Sequence, residues 1–336
     1  MQRLRETVDR LFEEKSLSHL GVKVALGDSV LCEFYRSREG TLDGRTLFDM
    51  ASVTKILCPT MLALIAVDEG ALRLSDPVSR FFSVSSEKEG LTVEHLLTHT
   101  MGIGHKNLTE FFQGEIGEYI LSIPSDFPIG TKVRYSCPGF VLLGRILEKV
   151  FALPLNEAFC RWVAAPLGMN DTGFFPKRGL ATVNANLRED LRGTVNDYNC
   201  RHLGGVAGNA GIFSHMEDLT KFVFLLRRRG EPLFSAETFA LARQNRTRGM
   251  DESRGLGFLY VDGRYEQTGG LFPEGSIGHC GHTGQSVFLD PESGLSVILL
   301  SDATVSTVKK YGRERYGDVM RMRHDLHAAI KSDLET

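Results

Sequence analysis

The 336-residue sequence lacks the marks of several common protein classes. Its formal net charge is -3, so it lacks the basic excess that is typical of nucleic-acid-binding domains. The N-terminus runs directly into charged residues and lacks the apolar stretch of an export signal. No uninterrupted apolar run reaches the roughly 18 residues that span a bilayer. These absences predict a cytoplasmic protein that binds neither nucleic acid nor membranes.

Cysteine motifs and the common nucleotide and metal motifs are also missing. The six cysteines form no C-x-x-C pair and no metal-like spacing: Cys32, Cys58, Cys137, Cys160, Cys200 and Cys280. In a chain of this length without an export signal, we expect them to be reduced thiols. The sequence contains no G-x-S-x-G, no G-x-x-x-x-G-K-[ST], no G-x-G-x-x-G and no H-E-x-x-H. We therefore expect no α/β-hydrolase elbow, no nucleotide site, no metal and no organic cofactor.

What the sequence does have is the pattern of a mixed α/β protein, with strand-like runs at both ends and a helical middle. Composition is ordinary for a soluble globular protein, at 42% hydrophobic and 24% charged residues. The strand-like runs are residues 22–26, 30–35, 257–261, 286–289 and 295–300. The pattern predicts one sheet domain built from residues 1–75 and 240–336, flanked by helices. A mostly helical domain, residues 76–239, would be inserted, with the active site between the two.

Apolar periodicity of about 3.6 residues predicts the helices. They are expected at residues 3–15, 52–69, 93–99, 108–123, 140–151 and 316–331. Gly27-Asp28-Ser29 separates the first two strand-like runs and predicts a hairpin. Pro59 predicts a kink in the second helix, because its ring removes one backbone hydrogen bond.

A serine and a lysine three residues apart open the second helix. S-x-x-K is a weak signal alone, and it occurs three times, at Ser52/Lys55, Ser85/Lys88 and Ser306/Lys309. The last two lie in polar stretches and are expected to be solvated surface. Ser52 instead heads an apolar helix, where Lys55 would share its face. The helix dipole would favour an oxyanion there, and burial would lower the pKa of the lysine and make it a base. The alternative is that Ser52 only caps the helix.

Five further segments resemble one family. Residues 51–55 (ASVTK) resemble the nucleophile motif of the serine β-lactamase and penicillin-binding-protein superfamily, in its class C β-lactamase-like branch. Residues 91–103 (LTVEHLLTHTMGI), 166–172 (PLGMNDT) and 204–214 (GGVAGNAGIFS) resemble its LLTHTSGL, PLGMxDT and GGVAGHAGLFS segments, and residues 74–78 (LSDPV) resemble the turn after the nucleophile helix. The resemblance covers nearly the whole chain and implies the fold of that family.

The resemblance implies a catalytic tyrosine at Tyr135, which would act as general base or acid beside Lys55. Its phenol would need a pKa depressed by nearby positive charge. The family motif is Y-x-N, but here Cys137 stands where asparagine is expected. A thiol is a poor substitute for the amide that would contact the substrate. The other interpretations are a core tyrosine at Tyr135 and a small packing residue, or less plausibly a second nucleophile, at Cys137.

The third element of the resemblance is residues 278–291 (GHCGHTGQSVFLDP), which resemble GHTGFTGTSLWIDP. They place His282, Thr283 and Gly284 at the K-T-G position, where Thr283 would contact substrate and Gly284 would allow close backbone approach. The Gln285 N–H would pair with the Ser52 N–H as an oxyanion hole. The role of His282 is left open: it could transfer a proton, donate to a substrate carboxylate, or serve only as a spacer beside the site.

Two histidines of these segments have a simpler interpretation. His99 and His279 are expected to be structural, hydrogen-bonding residues.

These residues predict a serine hydrolase that forms an acyl-enzyme on Ser52. Its substrate is left open among an ester, a D-amino-acid peptide as for a carboxypeptidase, and a β-lactam as for a class C β-lactamase. The changes at Cys137 and His282 weigh against an efficient β-lactamase. A rival of another class is a catalytically silent protein that binds peptides or β-lactams. The oligomeric state is not predicted.

Overall fold

A computed structural model describes residues 1–14, 17–108, 114–183, 190–303 and 317–336. It has the predicted mixed α/β architecture, an antiparallel sheet with helices on both faces. Of the three S-x-x-K pairs, Ser306 and Lys309 lie outside the described residues.

The main sheet has six antiparallel strands in the order β2-β1-β8-β7-β6-β5, and β3 pairs with β4 in a separate two-stranded sheet. The strands are β1 His19–Leu26, β2 Ser29–Ser37, β3 Phe48–Asp49, β4 Phe213–Ser214, β5 Leu259–Tyr260, β6 Ile277–Cys280, β7 Ser286–Leu289 and β8 Leu295–Ser301. Because β1 pairs with β8, the sheet joins the two ends of the chain, as the sequence predicts.

The described α-helices are mostly short. They are α1 Gln2–Glu13, α2 Thr54–Leu57, α3 Pro59–Asp68, α4 Val93–Leu97, α5 Ile116–Ser122, α6 Cys137–Phe151, α7 Leu155–Phe159, α8 Tyr198–His202, α9 Met216–Arg227, α10 Ala236–Ala242 and α11 Gly317–Leu334. A π-helical turn, Cys160–Ala164, continues α7.

Each face of the sheet has its own apolar core. On one face, α1 and α11 pack over side chains such as Val22 and Leu299. On the other, α3 and central helices such as α6 pack over side chains such as Ile298 and Leu300. Alternate residues of one strand therefore serve opposite cores, as strand geometry requires.

The helix that follows Ser52 lies within the larger core. By length and composition, residues 51–68 are apolar enough to cross a bilayer, whereas the sequence was expected to hold no segment of that kind. However, 83% of this segment is buried inside the protein. Core packing therefore explains the apolar character of this segment.

The Pro59 kink is found one residue earlier, at Cys58. Cys58 leaves helical geometry, with φ -112 and ψ -80, and Pro59 starts a new helix, a position where its missing N–H costs no bond. The hairpin of β1 and β2 forms as predicted, with Leu26 opposite Ser29.

Two other expectations need correction. Of the helix predicted over 108–123, the structure has Ile116–Ser122; residues 109–113 lie outside the described residues. Leu108 is not helical, and its N–H donates to Asn199 Oδ1 at 2.8 Å. Lys88 is not solvated surface. Its side chain is buried and its Nζ donates to the Ile123 carbonyl at 2.6 Å, whereas Ser85 is exposed.

The proposed domain limits, 1–75 with 240–336 and 76–239, stay a prediction. The central segment does carry most of the described helices. However, α9 lies inside the range predicted for the inserted domain and packs against β7 and β8 of the main sheet.

Candidate active site

Ser52 lies in a tight 3-10 turn, Ala51–Val53, that runs directly into α2. Ala51 has a positive φ of 44, which is strained for a residue with a side chain. The turn is held from below by Asp49, whose carboxylate accepts the Ala51 N–H at 2.8 Å and the Asn196 N–H at 2.7 Å. Burial, working against these two bonds, raises the pKa of Asp49 to about 6.

Lys55 is fully buried beside Ser52, on the shared helix face that the sequence predicts. Its Nζ donates to Ser52 Oγ at 3.0 Å, to the Asn209 carbonyl at 2.9 Å and to Cys137 Sγ at 3.7 Å. An ammonium group has three N–H donors, and this site offers three acceptors.

Tyr135 reaches the same serine from the segment that leads into α6. Its hydroxyl donates to Ser52 Oγ at 2.6 Å, and Lys55 Nζ lies 4.8 Å from the centroid of its ring. The ring packs against His99 at a centroid distance of 4.7 Å. His99 Nδ1 also accepts the Ser136 N–H at 3.0 Å, so this buried histidine positions the tyrosine.

The pKa values of Lys55 and Tyr135 are shifted in the direction opposite to the one predicted. Burial tends to lower the pKa of Lys55, but attraction to Cys137 and Tyr135 outweighs it, and the pKa is raised. Burial raises the pKa of Tyr135 by more than the Lys55 charge lowers it. The pKa of Cys137 is lowered, because Lys55 and a hydrogen bond with His105 outweigh burial. The predictions of a lowered lysine pKa and a lowered tyrosine pKa are therefore wrong.

The His-x-Gly triplet that borders Ser52 lies three residues earlier in the structure than predicted. It is His279-Cys280-Gly281, and not His282-Thr283-Gly284. The cavity beside Ser52 is lined by His279, Cys280, Gly281 and His282. A Cβ built on Gly281 would lie 2.7 Å from the Met50 carbonyl oxygen and 3.5 Å from the Ala51 Cβ. Gly281 is therefore the glycine whose backbone approaches the nucleophile turn.

The residues predicted for that role lie behind the site. Thr283 is fully buried and donates from Oγ1 to the Asp49 carbonyl at 2.8 Å. A Cβ on Gly284 would meet Ser301 Oγ at 2.1 Å, on β8. The Gln285 side chain is buried and donates to the Ser301 carbonyl at 2.9 Å. Because β6 ends at Cys280 and β7 starts at Ser286, these residues form the turn and do not line the cavity.

Histidines 279 and 282 both line the cavity. His279 Nδ1 lies 2.9 Å from the Cys280 carbonyl, so Nδ1 carries the proton and Nε2 is an acceptor. Burial, together with the charges of Lys55 and Arg254, holds the pKa of His279 well below its usual range, so it is neutral. Burial, then the Arg323 charge, also lowers the pKa of His282.

The cavity has a volume of about 660 Å³ and joins the nucleophile to two buried arginines. It is lined by Ala51, Ser52, His105, Tyr135, Cys137, Asn196, Asp197, Tyr198, Glu252, Arg254, Leu259, Tyr265, Gln267, His279, Cys280, Gly281, His282, Val319, Met320 and Arg323.

Arg254 and Arg323 are each 4% exposed. Arg254 Nη2 pairs with Glu252, while its Nε and Nη1 have no hydrogen-bond partner among the described residues. Arg323 donates to the Gln267 side chain at 2.9 Å and to backbone carbonyls. Neither arginine was predicted as a site residue. The basic residues that alternate with apolar ones over 309–323 predict a solvated helix face, and for Arg323 that prediction is wrong. The signal available for Arg254 was its place directly before Gly255-Leu256-Gly257 and a strand.

In the described part of the chain, no group of three or more His, Cys, Asp or Glu side chains could hold a metal ion. The chemistry that the arrangement offers is acyl transfer. A half-buried serine hydroxyl is held between an ammonium and a phenol, beside a cavity that is also lined by two buried arginines.

Known proteins with a similar sequence indicate the family to which this chain belongs. The sequence matches the Beta-lactamase family over residues 5–319. A putative D-alanyl-D-alanine carboxypeptidase of Escherichia coli O157:H7 is 29% identical over 308 residues, which cover 78% of this chain and 70% of that protein. An N-acetylmuramyl-L-alanine amidase of Bacillus subtilis is 26% identical over 321 residues, covering 79% of this chain and 70% of that protein.

Solved structures share the fold at lower identity. EstCE1, described as a hydrolase with promiscuous acyltransferase activity, aligns with a TM-score of 0.76 at 22% identity, over 96% of this chain and 98% of that chain. A penicillin-binding protein homolog from Caulobacter crescentus aligns with a TM-score of 0.75 at 18% identity, over 98% and 96%. The fold expected from the resemblance is confirmed, and the chain belongs to the Beta-lactamase family.

Proposed function

We propose that this serine hydrolase of the Beta-lactamase family cleaves an amide or ester bond in a substrate that carries a carboxylate, as a D-amino-acid peptide does. The observation that carries the hydrolase assignment is the meeting of three side chains at one oxygen. Lys55 Nζ and the Tyr135 hydroxyl both donate to Ser52 Oγ, at 3.0 and 2.6 Å. Lys55 and Tyr135 are therefore in place to handle the hydroxyl proton that Ser52 loses when its Oγ attacks a carbonyl carbon.

The reaction would follow two steps. Ser52 Oγ attacks the substrate carbonyl, its proton passes into the Lys55 and Tyr135 cluster, and Tyr135 returns a proton to the leaving group. Water then releases the acyl group. The oxyanion would be held by the Ser52 N–H and, given the position of the cavity-lining strand, by the N–H of His282 in place of that of Gln285.

The substrate class follows from the guanidinium nitrogens of the cavity. Arg254 and Arg323 are buried cations that line it, together with the carboxylates of Asp197 and Glu252, and Arg254 keeps Nε and Nη1 without a hydrogen-bond partner among the described residues. A substrate carboxylate would supply the missing acceptors, because charge-assisted bonds to guanidinium are strong. His279 Nε2, a buried acceptor without a partner among the described residues, would accept a peptide N–H. The similarity to putative D-alanyl-D-alanine carboxypeptidases supports a peptide of this kind.

The test compares the wild type, Ser52→Ala and a matched control, Ser85→Ala, which alters an exposed serine of another S-x-x-K pair. Each protein is incubated with an N-acylated D-Ala-D-Ala peptide, with p-nitrophenyl acetate and with a penicillin, and intact mass is recorded. We expect D-alanine release and a covalent adduct that disappear only in Ser52→Ala.

Other outcomes favour the other candidates. Rapid penicillin turnover without peptide cleavage would favour a β-lactamase, and ester turnover alone would favour an esterase. Binding without any turnover or adduct in the wild type would show a silent binding protein and overturn the proposal. The cytoplasmic location stays a prediction.

A further inference from the structure

Cys137 occupies a position that favours an anion. It is the first residue of α6, a helix of 15 residues capped by Ser136. The positive end of a helix dipole stabilises negative charge, and thiols at such positions beside Lys or His ionise more readily than free cysteine. Cys137 is 3% exposed and lines the cavity next to Ser52. The asparagine that the resemblance leads one to expect at this position could not ionise.

Lys55 needs a counter-charge, because an ammonium group buried without one costs several kcal/mol. Two of its three acceptors, Ser52 Oγ and the Asn209 carbonyl, are neutral groups that do not ionise in the ordinary pH range. The third acceptor, Cys137 Sγ at 3.7 Å, does. The Asp197 carboxylate also attracts Lys55, but more weakly than Cys137 and Tyr135.

Four charged or titratable groups face the thiol from the surrounding elements. Lys55 and His105 lower the pKa of Cys137 against the opposing effects of burial and Asp197. Tyr135 is the competing acid, and burial raises its pKa. Of the two acids that could pair with Lys55, the thiol therefore loses its proton first.

We propose that Cys137 is a thiolate in the resting enzyme, that it is the counter-ion of Lys55, and that it stores the Ser52 proton during acylation. The second half of this assignment rests on the proposed hydrolase function; the ion pair does not. Lys55 passes one proton to the Cys137 thiolate and becomes a neutral amine. As Ser52 Oγ forms its bond to the substrate carbonyl carbon, the Ser52 O–H bond breaks, and the Lys55 amine takes that proton and is an ammonium again.

The stored proton then leaves with the product. Tyr135 gives its proton to the leaving nitrogen or oxygen as the bond to the carbonyl carbon breaks, and Lys55 reprotonates Tyr135. Cys137 returns its proton to Lys55 and is again a thiolate. The net transfer is one proton from Ser52 to the leaving group, so charge and atoms balance, and no oxidant or cofactor is needed.

The ion pair is tested without any substrate, by ultraviolet absorbance of the thiolate against pH. The difference between wild type and Cys137→Ser gives the titration of Cys137 alone. We expect a midpoint below the ordinary cysteine value of about 8.5. In Lys55→Met the midpoint should rise above that value. Cys160→Ser is the control, because Cys160 is exposed and is not among the residues that line the cavity.

Proton storage is tested by the pH profile of kcat/KM. In Cys137→Ser no thiolate is present, so the Ser52 proton must go to a base whose conjugate acid has a higher pKa. The acidic limb of the kcat/KM profile should therefore shift to higher pH by at least about one unit, which is roughly a tenfold loss of kcat/KM on that limb. A merely structural role would scale the profile without shifting it. Cys160→Ser should keep the wild-type limb.

The outcomes separate the two parts. An ordinary or raised thiol midpoint in the wild type overturns the ion pair. A low midpoint with an unshifted acid limb overturns proton storage and leaves the ion pair standing. A low midpoint in a protein that neither hydrolyses nor acylates refutes the proposed function and, with it, proton storage, while the ion pair is retained. If Lys55→Met does not fold, the wild-type and Cys137→Ser difference still decides the first part.

Discussion

The Tyr135 hydroxyl donates to Ser52 Oγ at 2.6 Å, from a ring that His99 holds from behind. Tyr135→Phe removes this donor and keeps the ring packing. We expect kcat to fall roughly 10²–10⁴-fold, the usual contribution of a positioned acid or base, with an unchanged unfolding midpoint. Steady-state hydrolysis of the preferred substrate measures this. Tyr265→Phe, which alters another half-buried tyrosine of the cavity, serves as the control, and equal losses in both variants would contradict the role.

Gly281 should tolerate no side chain if its strand borders the nucleophile turn. In Gly281→Ala the new Cβ would lie 2.7 Å from the Met50 carbonyl oxygen, so the strand or the turn must shift. Overpacking of this kind costs about 1–3 kcal/mol, and we expect kcat/KM to fall at least roughly tenfold. Gly90→Ala is the control, because a Cβ there meets nothing within 4 Å. Full activity in Gly281→Ala would argue against this placement of the strand.

Arg254 should distinguish anionic from neutral substrates. In Arg254→Gln we expect KM for a carboxylate-bearing peptide to rise about tenfold or more, since a hydrogen bond to a charged group contributes about 1.5–3 kcal/mol. Hydrolysis of neutral p-nitrophenyl acetate should change far less. Arg264→Gln is the matched control, because the Arg264 side chain is 61% exposed and pairs with Asp262. A parallel loss on both substrates would refute carboxylate binding.

Asp49 should make stability depend on mildly acidic pH. Burial raises its folded pKa to about 6, above the value of 3.8 that applies to the unfolded chain. The folded state therefore binds the proton more tightly, and this contribution to stability is complete below pH 3.8 and is lost as pH rises through 6. The whole effect is at most about 3 kcal/mol.

The measurement is urea unfolding of wild type and Asp49→Asn between about pH 4 and pH 7. The difference in unfolding free energy, wild type minus variant, isolates Asp49 because other groups cancel. It should decrease as pH rises across this window. A constant difference would mean that Asp49 ionises normally in the folded protein.

Local sequence was sufficient for much of the secondary structure. The β1–β2 hairpin follows from two strand-like runs around Gly27 and Asp28, and β7 was predicted with its observed limits. At Leu108, the predicted start of the helix over 108–123, the chain is not helical, and the Leu108 N–H donates to Asn199, about ninety residues away. Such a contact leaves no trace in local periodicity. The buried Lys88 was missed for the same reason, since its partner is the distant Ile123 carbonyl.

The third motif was misplaced because the sequence offers two equivalent candidates. His279-Cys280-Gly281 and His282-Thr283-Gly284 are both His-x-Gly triplets, three residues apart. Their local sequence gives no reason to prefer the first. Pairing of β6 with β7 decides between them, because it puts Cys280 opposite Ser286 and leaves residues 281–285 as the turn.

The sequence by itself predicted Ser52 as the nucleophile with Lys55 beside it, because residues three apart share one side of a helical turn, and the two side chains are in contact in the structure. It also determined the family through segments spread along the chain. Only the tertiary structure decided the proton affinities, since these depend on which groups are buried together. Lys55, Tyr135, Cys137 and His105 come from separate segments, and their mutual distances set the sign of each pKa shift. Charge interactions across a fold are not encoded at any one position of the chain.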